Sequence, residues 1–194
     1  MKLVKLLEKN YFKVFDFFYE CKWYMVFAFG LFSLFFLIGF TFPIFFRAEI
    51  FSMLQEMVSQ IESKGAFELA GFIFLNNMKV SLLAILLGIG FGIFPFIISV
   101  FNGYLIGFVS RESVGMDGIG ILWRLLPHGI FELPAVIFSI GIGMKIGVEL
   151  FNRKNNREKL RKNYREALRF YFFVIFPLLL IAGIIEGLLI WYIS

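Results

Sequence analysis

Residues 124–147 read RLLPHGIFELPAVIFSIGIGMKIG, and this stretch decides how the rest of the chain is interpreted. It is apolar enough for lipid, yet it contains Arg124, His128, Glu132 and Lys145. Charged side chains at membrane depth are costly, so they usually face protein or a water-filled cavity and mark a functional site. The stretch therefore predicts the polar core of a small helical membrane protein.

Two prolines bracket the histidine and the glutamate of this stretch. Pro127 precedes His128, Pro134 follows Glu132, and Gly129 completes a Pro-His-Gly-x-x-Glu-x-Pro pattern. A proline at the first helical position costs nothing, because its missing N–H would be unpaired there anyway. Residues spaced by four share one face of a helix. The pattern thus predicts a helix that begins near Pro127 and presents His128 and Glu132 together.

The composition supports the membrane class. Hydrophobic residues make up 60% of the 194 residues, against about 45–50% in soluble domains, and the mean hydropathy is +0.84. The net charge is +5, and the basic residues stand beside apolar runs. This placement favours anionic lipid headgroups as a partner and argues against nucleic acid. The single cysteine, Cys21, excludes an intrachain disulfide.

Toward the C-terminus, the polar stretch lies in a predicted element and span at 119–150. Residues 151–170 form a basic amphipathic segment, and residues 171–194 form the last span. That span contains one charge, Glu186, which joins the candidate polar core.

Toward the N-terminus, residues 72–110 are nearly uncharged and are interrupted by glycine and proline near 92–95. This predicts a broken or re-entrant helical hairpin, with Asn102 as a further candidate polar residue. Small residues favour close contact between membrane helices. The glycines predicted to serve helix packing are Gly88, Gly92, Gly103, Gly107, Gly143, Gly147, Gly183 and Gly187.

The first third of the chain divides into three predicted segments. Residues 1–22 combine a lysine stripe with many phenylalanines, which predicts an amphipathic helix lying in the membrane interface; the alternative is a helix packed on the protein's own cytosolic loop. Residues 23–46 contain no charge and are long enough to cross about 30 Å of hydrocarbon. Residues 47–71 predict an amphipathic helix on the outer surface.

Topology follows from the distribution of charge. Lysine and arginine are concentrated in 1–22 and 151–170, so both segments are expected in the cytoplasm. Residues 72–150 must then cross an odd number of times. Three crossings give five spans and place the C-terminus outside, whereas one crossing with a re-entrant 119–150 element gives three spans. We prefer five.

Three roles remain open for the polar residues. Glu132 pairs within the bundle, with Arg124, Lys145 or His128; or His128 and Glu132 form a proton or ion relay; or they bind a metal. A lone HxxxE supplies only two of the four ligands that a structural zinc site takes, so we expect no metal and no cofactor. No protease motif surrounds His128 either, so we expect no enzymatic activity.

Two stretches resemble the stage II sporulation protein M family of integral membrane proteins. They are LPHGIFELPAVIFSIGIGMKIG and the preceding FLNNMKVSLLAILLGIGFGIFPFIISVFNGYLIGFV. The resemblance extends over residues 70–194, and the Pro-His-Gly-x-x-Glu-x-Pro pattern is its most specific part. It implies a polytopic protein with about five helices. It brings no established catalytic residues.

The namesake of that family, in endospore-forming bacteria, is a membrane scaffold that holds two peptidoglycan-degrading enzymes. The resemblance therefore implies an assembly protein of the cell membrane, which we expect to be a homo-oligomer with protein partners. The alternative is a transporter or channel component, worked by a separate ATPase, with a path past Arg124, His128, Glu132, Lys145 and Glu186. A scaffold predicts that these residues are sealed in pairs, and a transporter predicts a wet cavity that reaches them.

Overall fold

The computed structural model describes residues 2–61, 65–124, 126–150 and 156–193, and every regular element within them is helical. The helices are α1 Lys2–Thr41, α2 Arg47–Ile61, α3 Ala66–Leu86, α4 Ile93–Asp117, α5 Leu126–Glu149, α6 Asn156–Phe170 and α7 Phe176–Ile193. Short 3-10 turns occupy Leu87–Ile89 and Ile119–Arg124, and a π-helical turn, Tyr171–Ile175, joins α6 to α7.

Five stretches of the described residues are long and apolar enough to cross a membrane. They are Asn10–Thr41, Ala70–Ile89, Ile93–Asp117, Gly129–Glu149 and Arg157–Leu189. The prediction of an all-α, polytopic membrane protein with about five spans is confirmed.

Helix α1 continues through the boundary that the sequence places between residues 22 and 23. The chain contains neither glycine nor proline before Gly30, so no residue interrupts the helix there. The helix ends at Thr41, because Pro43 disfavours a helical residue before it. The predicted interfacial helix (1–22) and first span (23–46) are therefore one helix, followed by a turn in which Phe46 has a φ of 54°.

The middle of the chain also departs from the predicted boundaries. Of the predicted outer segment 47–71, residues 66–71 already belong to α3. The predicted hairpin 72–110 turns at 87–92, slightly before the predicted break, because Phe91 and Gly92 have positive φ values of 57° and 76°. Pro95 lies in the first turn of α4, where it removes no helical hydrogen bond.

A single continuous helix also replaces the predicted basic segment (151–170) and last span (171–194), from Asn156 to Ile193. Pro177 has no N–H and crowds the carbonyl of Phe173, four residues before it. The chain responds with the π-helical turn, in which the Phe176 N–H donates to the Tyr171 carbonyl five residues earlier. The helix therefore widens at the proline and is not broken by it.

Helix α5 lies at the centre of the bundle. Residues 139–147 are all buried, and α5 contacts α1, α3, α4 and α7. Its glycines make this close packing possible. A Cβ added to Gly143 would meet the carbonyl of Ala84 in α3, and one added to Gly147 would meet the backbone of Gly92.

Helices α1 and α4 also pack through glycines. A Cβ on Gly103 would lie 2.5 Å from the Phe32 carbonyl oxygen, and one on Gly107 would meet the carbonyl of Phe36. Because the residue numbers rise together, the two helices run in the same direction. The other predicted glycines also lie against neighbours: Gly88 and Gly92 against α5, and Gly183 and Gly187 against α3.

One end of the bundle collects parts of several helices. Lys162 of α6 lies 3.9 Å from Glu20 of α1, and the Tyr164 hydroxyl donates to the Leu86 carbonyl at the end of α3. Gly92 meets the end of α5 at Gly147. We call this the basic end, after the lysines and arginines of α6. At the other end, α2 packs on α4, with Ile50 buried against Phe108.

Candidate functional site

The predicted polar core is divided between two ends of α5. Glu132 and Lys145 are 13 positions apart on one helix, so they are separated by about 20 Å at 1.5 Å per residue. Lys145 therefore does not pair with Glu132 as the sequence suggested. The side chains of Arg124, Pro127 and His128 lie outside the described part of the structure, so the predicted contacts of His128 fall there too.

The other predicted polar residues do not join Lys145 either. Glu132 and Glu186 are half-buried in α5 and α7. Asn102 is half-buried in α4, and its amide donates 2.8 Å to the Ile98 carbonyl of the same helix. Gly129 and Pro134 lie on the first turns of α5, and Pro134 is inside the helix.

Lys145 is the best defined of the predicted site residues. Its side chain is 4% exposed, and its ammonium lies 2.8 Å from Glu20 Oε2 and 3.6 Å from Glu149 Oε1. The Phe17 ring covers it at 4.6 Å from the ring centroid. Burial of an unpaired ammonium is very costly; here two carboxylates and an aromatic face replace the lost water.

Helix α6 completes the cluster with Asn163, which is buried. Its amide nitrogen donates to Glu149 Oε2, and its amide oxygen lies 3.5 Å from the Lys145 ammonium. Lys159 adds a weaker contact, at 3.8 Å from Glu149 Oε2.

We call Glu20, Lys145, Glu149, Asn163, Lys159 and Lys162 the three-helix cluster. It connects α1, α5 and α6 at the basic end. Removal of one partner from a buried ion pair typically costs about 3–5 kcal/mol, whereas the intact pair adds little net stability. The cluster therefore adds little net stability. Its main effect is to determine which faces of α1, α5 and α6 pack together.

Sequence reasoning found only one member of this cluster. Glu149 follows Lys145 by four positions, a spacing at which helical side chains meet, so this pair was detectable. The sequence pattern places Glu20 on the polar stripe of an interfacial helix and Asn163 in a basic segment. Their contacts with Lys145 depend on how the helices pack, and no local pattern reports that.

A second polar contact fixes α2 at the opposite end. The Tyr104 hydroxyl lies 2.9 Å from the Phe45 carbonyl and accepts the Phe45 N–H at 3.0 Å. Arg47 adds an ion pair with Glu112 at 3.2 Å. Tyr104 therefore holds the turn between α1 and α2 on the side of α4.

Two cavities in the described part of the structure have apolar walls. One of about 400 Å³ lies between α1, the start of α4 and the end of α5. The other, of about 220 Å³, lies between α3 and α7. Among the residues described with side chains, which exclude His128, no three His, Cys, Asp or Glu come together as metal ligands would.

Comparison with known proteins gives one family. The family model for stage II sporulation protein M matches residues 26–189. The match begins well before residue 70, where the resemblance in the sequence began, and it includes the Pro-His-Gly-x-x-Glu-x-Pro pattern.

Two curated relatives come from Methanocaldococcus jannaschii. The uncharacterized protein MJ0793 is 41% identical over 78 residues, which cover 38% of this chain and 43% of the relative. The uncharacterized protein MJ0706 is 28% identical over 120 residues, which cover 59% of this chain and 52% of the relative. The chain thus spans about half the length of the curated relatives it matches. No solved structure matches it.

Proposed function

The chain belongs to the stage II sporulation protein M family, and on this basis we propose that it is a scaffold of the cell membrane. It organises partner proteins and performs no catalysis of its own. The observation that carries this proposal is that Lys145 is buried and ion-paired. The Lys145 side chain is 4% exposed, and its ammonium is held between Glu20 and Glu149, as expected of a helix junction and not of a water-filled path.

The middle of α5 supports the same proposal. Between Glu132 and Lys145, the α5 residues Ala135, Ser139 and Ile142 are fully buried, which favours a sealed core over a wet path along this helix. The Ser139 hydroxyl donates 2.8 Å to the Ala135 carbonyl of its own helix, so it is satisfied without water. Two cavities of the described structure, between α1, α4 and α5 and between α3 and α7, have apolar walls.

A scaffold also needs surfaces that partners can reach, and α6 offers one. Arg157, Arg161 and Arg165 are exposed and recur every four residues, so they form one stripe. In the proposed topology the basic end faces the cytoplasm and the C-terminus lies outside. The stripe then suits an acidic segment of a cytoplasmic partner.

Solvent access to the bundle tests the sealed core. Glu132→Cys, Ser139→Cys and Glu186→Cys are made singly in a Cys21→Ser background and treated with a membrane-impermeant thiol reagent from each side. Ser52→Cys on α2 and Arg161→Cys on α6, both at exposed positions, serve as references for the two sides. If the protein is a scaffold, only the reference positions 52 and 161 should be labelled. Labelling of positions 132 and 139 from one side in folded protein would instead favour the transporter.

Partner binding is tested separately. A photo-crosslinking amino acid is placed at Arg161 on the basic stripe, and at Phe172, which is 63% exposed and apolar, as the matched lipid-facing control. The scaffold gives discrete protein adducts at 161 that disappear when Arg157 and Arg165 are changed to Glu. Adducts of equal yield at both positions, or none at either, contradict the proposal.

A further inference from the structure

The larger apolar groove opens at the basic end of the bundle. It has a volume of about 400 Å³, which lies within the usual range for small-molecule sites. Its walls include Trp23 and Phe27 of α1, Phe96 of α4, and Met144 and Val148 of α5. Trp23 is 72% exposed, and the indole of such a residue is typical of the headgroup level of a membrane.

The turn between α3 and α4 forms the rim of this groove. Phe91 and Gly92 both line it and both have positive φ. A phenylalanine in this conformation is strained, and such strain is concentrated at ligand sites and switch regions. Gly92 lies on Met144 of α5, where an added Cβ would be 3.5 Å from the Met144 carbonyl oxygen. The rim is therefore held firmly in place.

A cation stands beside the groove. The Lys22 ammonium lies 5.7 Å from the centroid of the Trp23 ring and 5.2 Å from that of Tyr19. Within the described residues, no carboxylate lies at ion-pair distance from Lys22, whereas Lys145, Lys159 and Lys162 all have such a partner. Helix α1 thus places a positive charge, which has no ion-pair partner among the described residues, against Trp23, one wall of the apolar groove.

An ammonium that lies against one wall of an apolar groove complements a molecule with one anionic head and one hydrocarbon chain. We propose that the groove binds an anionic phospholipid, with one acyl chain against Phe27, Phe96 and Met144 and the phosphate on Lys22. The Trp23 ring lies between the two parts of the lipid. This inference is independent of the scaffold role, because it depends on the groove and on Lys22 alone.

Quenching of Trp23 fluorescence tests the proposal on the full chain. Trp123→Phe and Trp191→Phe leave Trp23 as the single tryptophan. The protein is reconstituted in phosphatidylcholine vesicles that contain equal mole fractions of either brominated phosphatidylglycerol or brominated phosphatidylcholine. The expected result is a local enrichment of the anionic lipid at Trp23 of roughly fivefold, the effect of one lysine at a membrane surface. Lys22→Gln should remove it.

Two controls separate this site from general surface charge. Lys13→Gln removes an exposed cation of the same helix and should leave the enrichment unchanged. A protein with Trp123 as its single tryptophan should show no preference. Equal quenching by the two lipids at Trp23 would overturn the proposal, as would a preference that survives Lys22→Gln or appears equally at Trp123.

The apolar half of the site has its own variant. Val148 is 46% exposed and lines the groove, so Val148→Phe fills the groove without disturbing the core. The enrichment at Trp23 should fall to the level seen with Lys22→Gln. If it persists with the groove filled, the lipid is bound by charge alone and the acyl-chain site is refuted.

Discussion

The Lys145 ammonium lies 2.8 Å from the carboxylate of Glu20, a residue 125 positions earlier in the chain. The lysine side chain is 4% exposed and the glutamate side chain 46%, so the lysine has lost its water while the glutamate keeps much of it. Without Glu20, Lys145 retains Glu149 as its carboxylate partner among the described residues. Lys145 of α5 is therefore paired with both carboxylates only when α1 is docked.

A double-mutant cycle measures this coupling. Glu20→Gln and Lys145→Gln, alone and together, should give an interaction free energy of about 1–3 kcal/mol, because one partner is buried. The free energy of unfolding is measured in detergent by denaturant titration. The Arg47–Glu112 pair, with side chains 54% and 25% exposed, is the matched control and should give about 0–1 kcal/mol. Equal values for the two pairs would mean that burial of Lys145 adds nothing.

Close approach of α1 and α4 gives a second prediction. Gly107 and Gly115 both lie in α4, but a Cβ on Gly107 would meet the Phe36 backbone, and one on Gly115 would have no atom within 4 Å. Gly107→Ala should therefore lower the free energy of unfolding by about 1–3 kcal/mol through overpacking. Gly115→Ala should be neutral or stabilising, since alanine is the better helix former by about 1 kcal/mol.

Thermal unfolding of the two variants in one detergent gives the comparison. Loss of stability in both would indicate a general sensitivity of α4. No loss in Gly107→Ala would show that α1 and α4 separate easily to admit a methyl group.

The sequence predicted the membrane architecture well for a physical reason. Long apolar runs are required to cross a bilayer, and that requirement is local, so it is visible in the sequence. The close contacts of glycines such as Gly103 and Gly147 followed from their size. The boundaries predicted at residues 22 and 170 follow changes in composition. No helix breaker stands at either point, so the helices continue.

The candidate site was harder to predict because its members come from three separate helices. Lys145 was recognised as an unusual charge in an apolar span. Its pairing with Glu20 depends on the packing of α1 against α5, and its contact with Asn163 depends on the connection to α6. The sequence predicts one polar core from the charges at both ends of α5, because it contains their spacing but not their partners.

The docking of the first half of α1 provides a third prediction. Phe17 is 2% exposed and packs against Phe170 of α6, whereas Phe15 is 59% exposed. Phe17→Ala should destabilise the fold by about 3–5 kcal/mol, as for other buried aromatic residues. Phe15→Ala should have a much smaller effect on unfolding in detergent. If the two variants behave alike, this part of α1 is held by the lipid interface and not by the protein.

The turn after α1 gives the last prediction, which concerns Tyr104. Its hydroxyl accepts the Phe45 N–H and lies within hydrogen-bond distance of the Phe45 carbonyl, so Tyr104→Phe leaves these backbone groups without that partner. A lost buried hydrogen bond costs about 1–3 kcal/mol, and the cost here should fall on the attachment of α2 more than on the whole bundle. Amide hydrogen exchange at residues 45–50 should therefore accelerate by about tenfold or more. Exchange in the α5 core should be unchanged.

Tyr19→Phe is the control. The Tyr19 ring is exposed, and the described structure shows no hydrogen bond for its hydroxyl. This variant should leave amide exchange at residues 45–50 as it is in the native chain. Acceleration that spreads equally through α5 would show that Tyr104 supports the bundle as a whole, and the local role would be wrong.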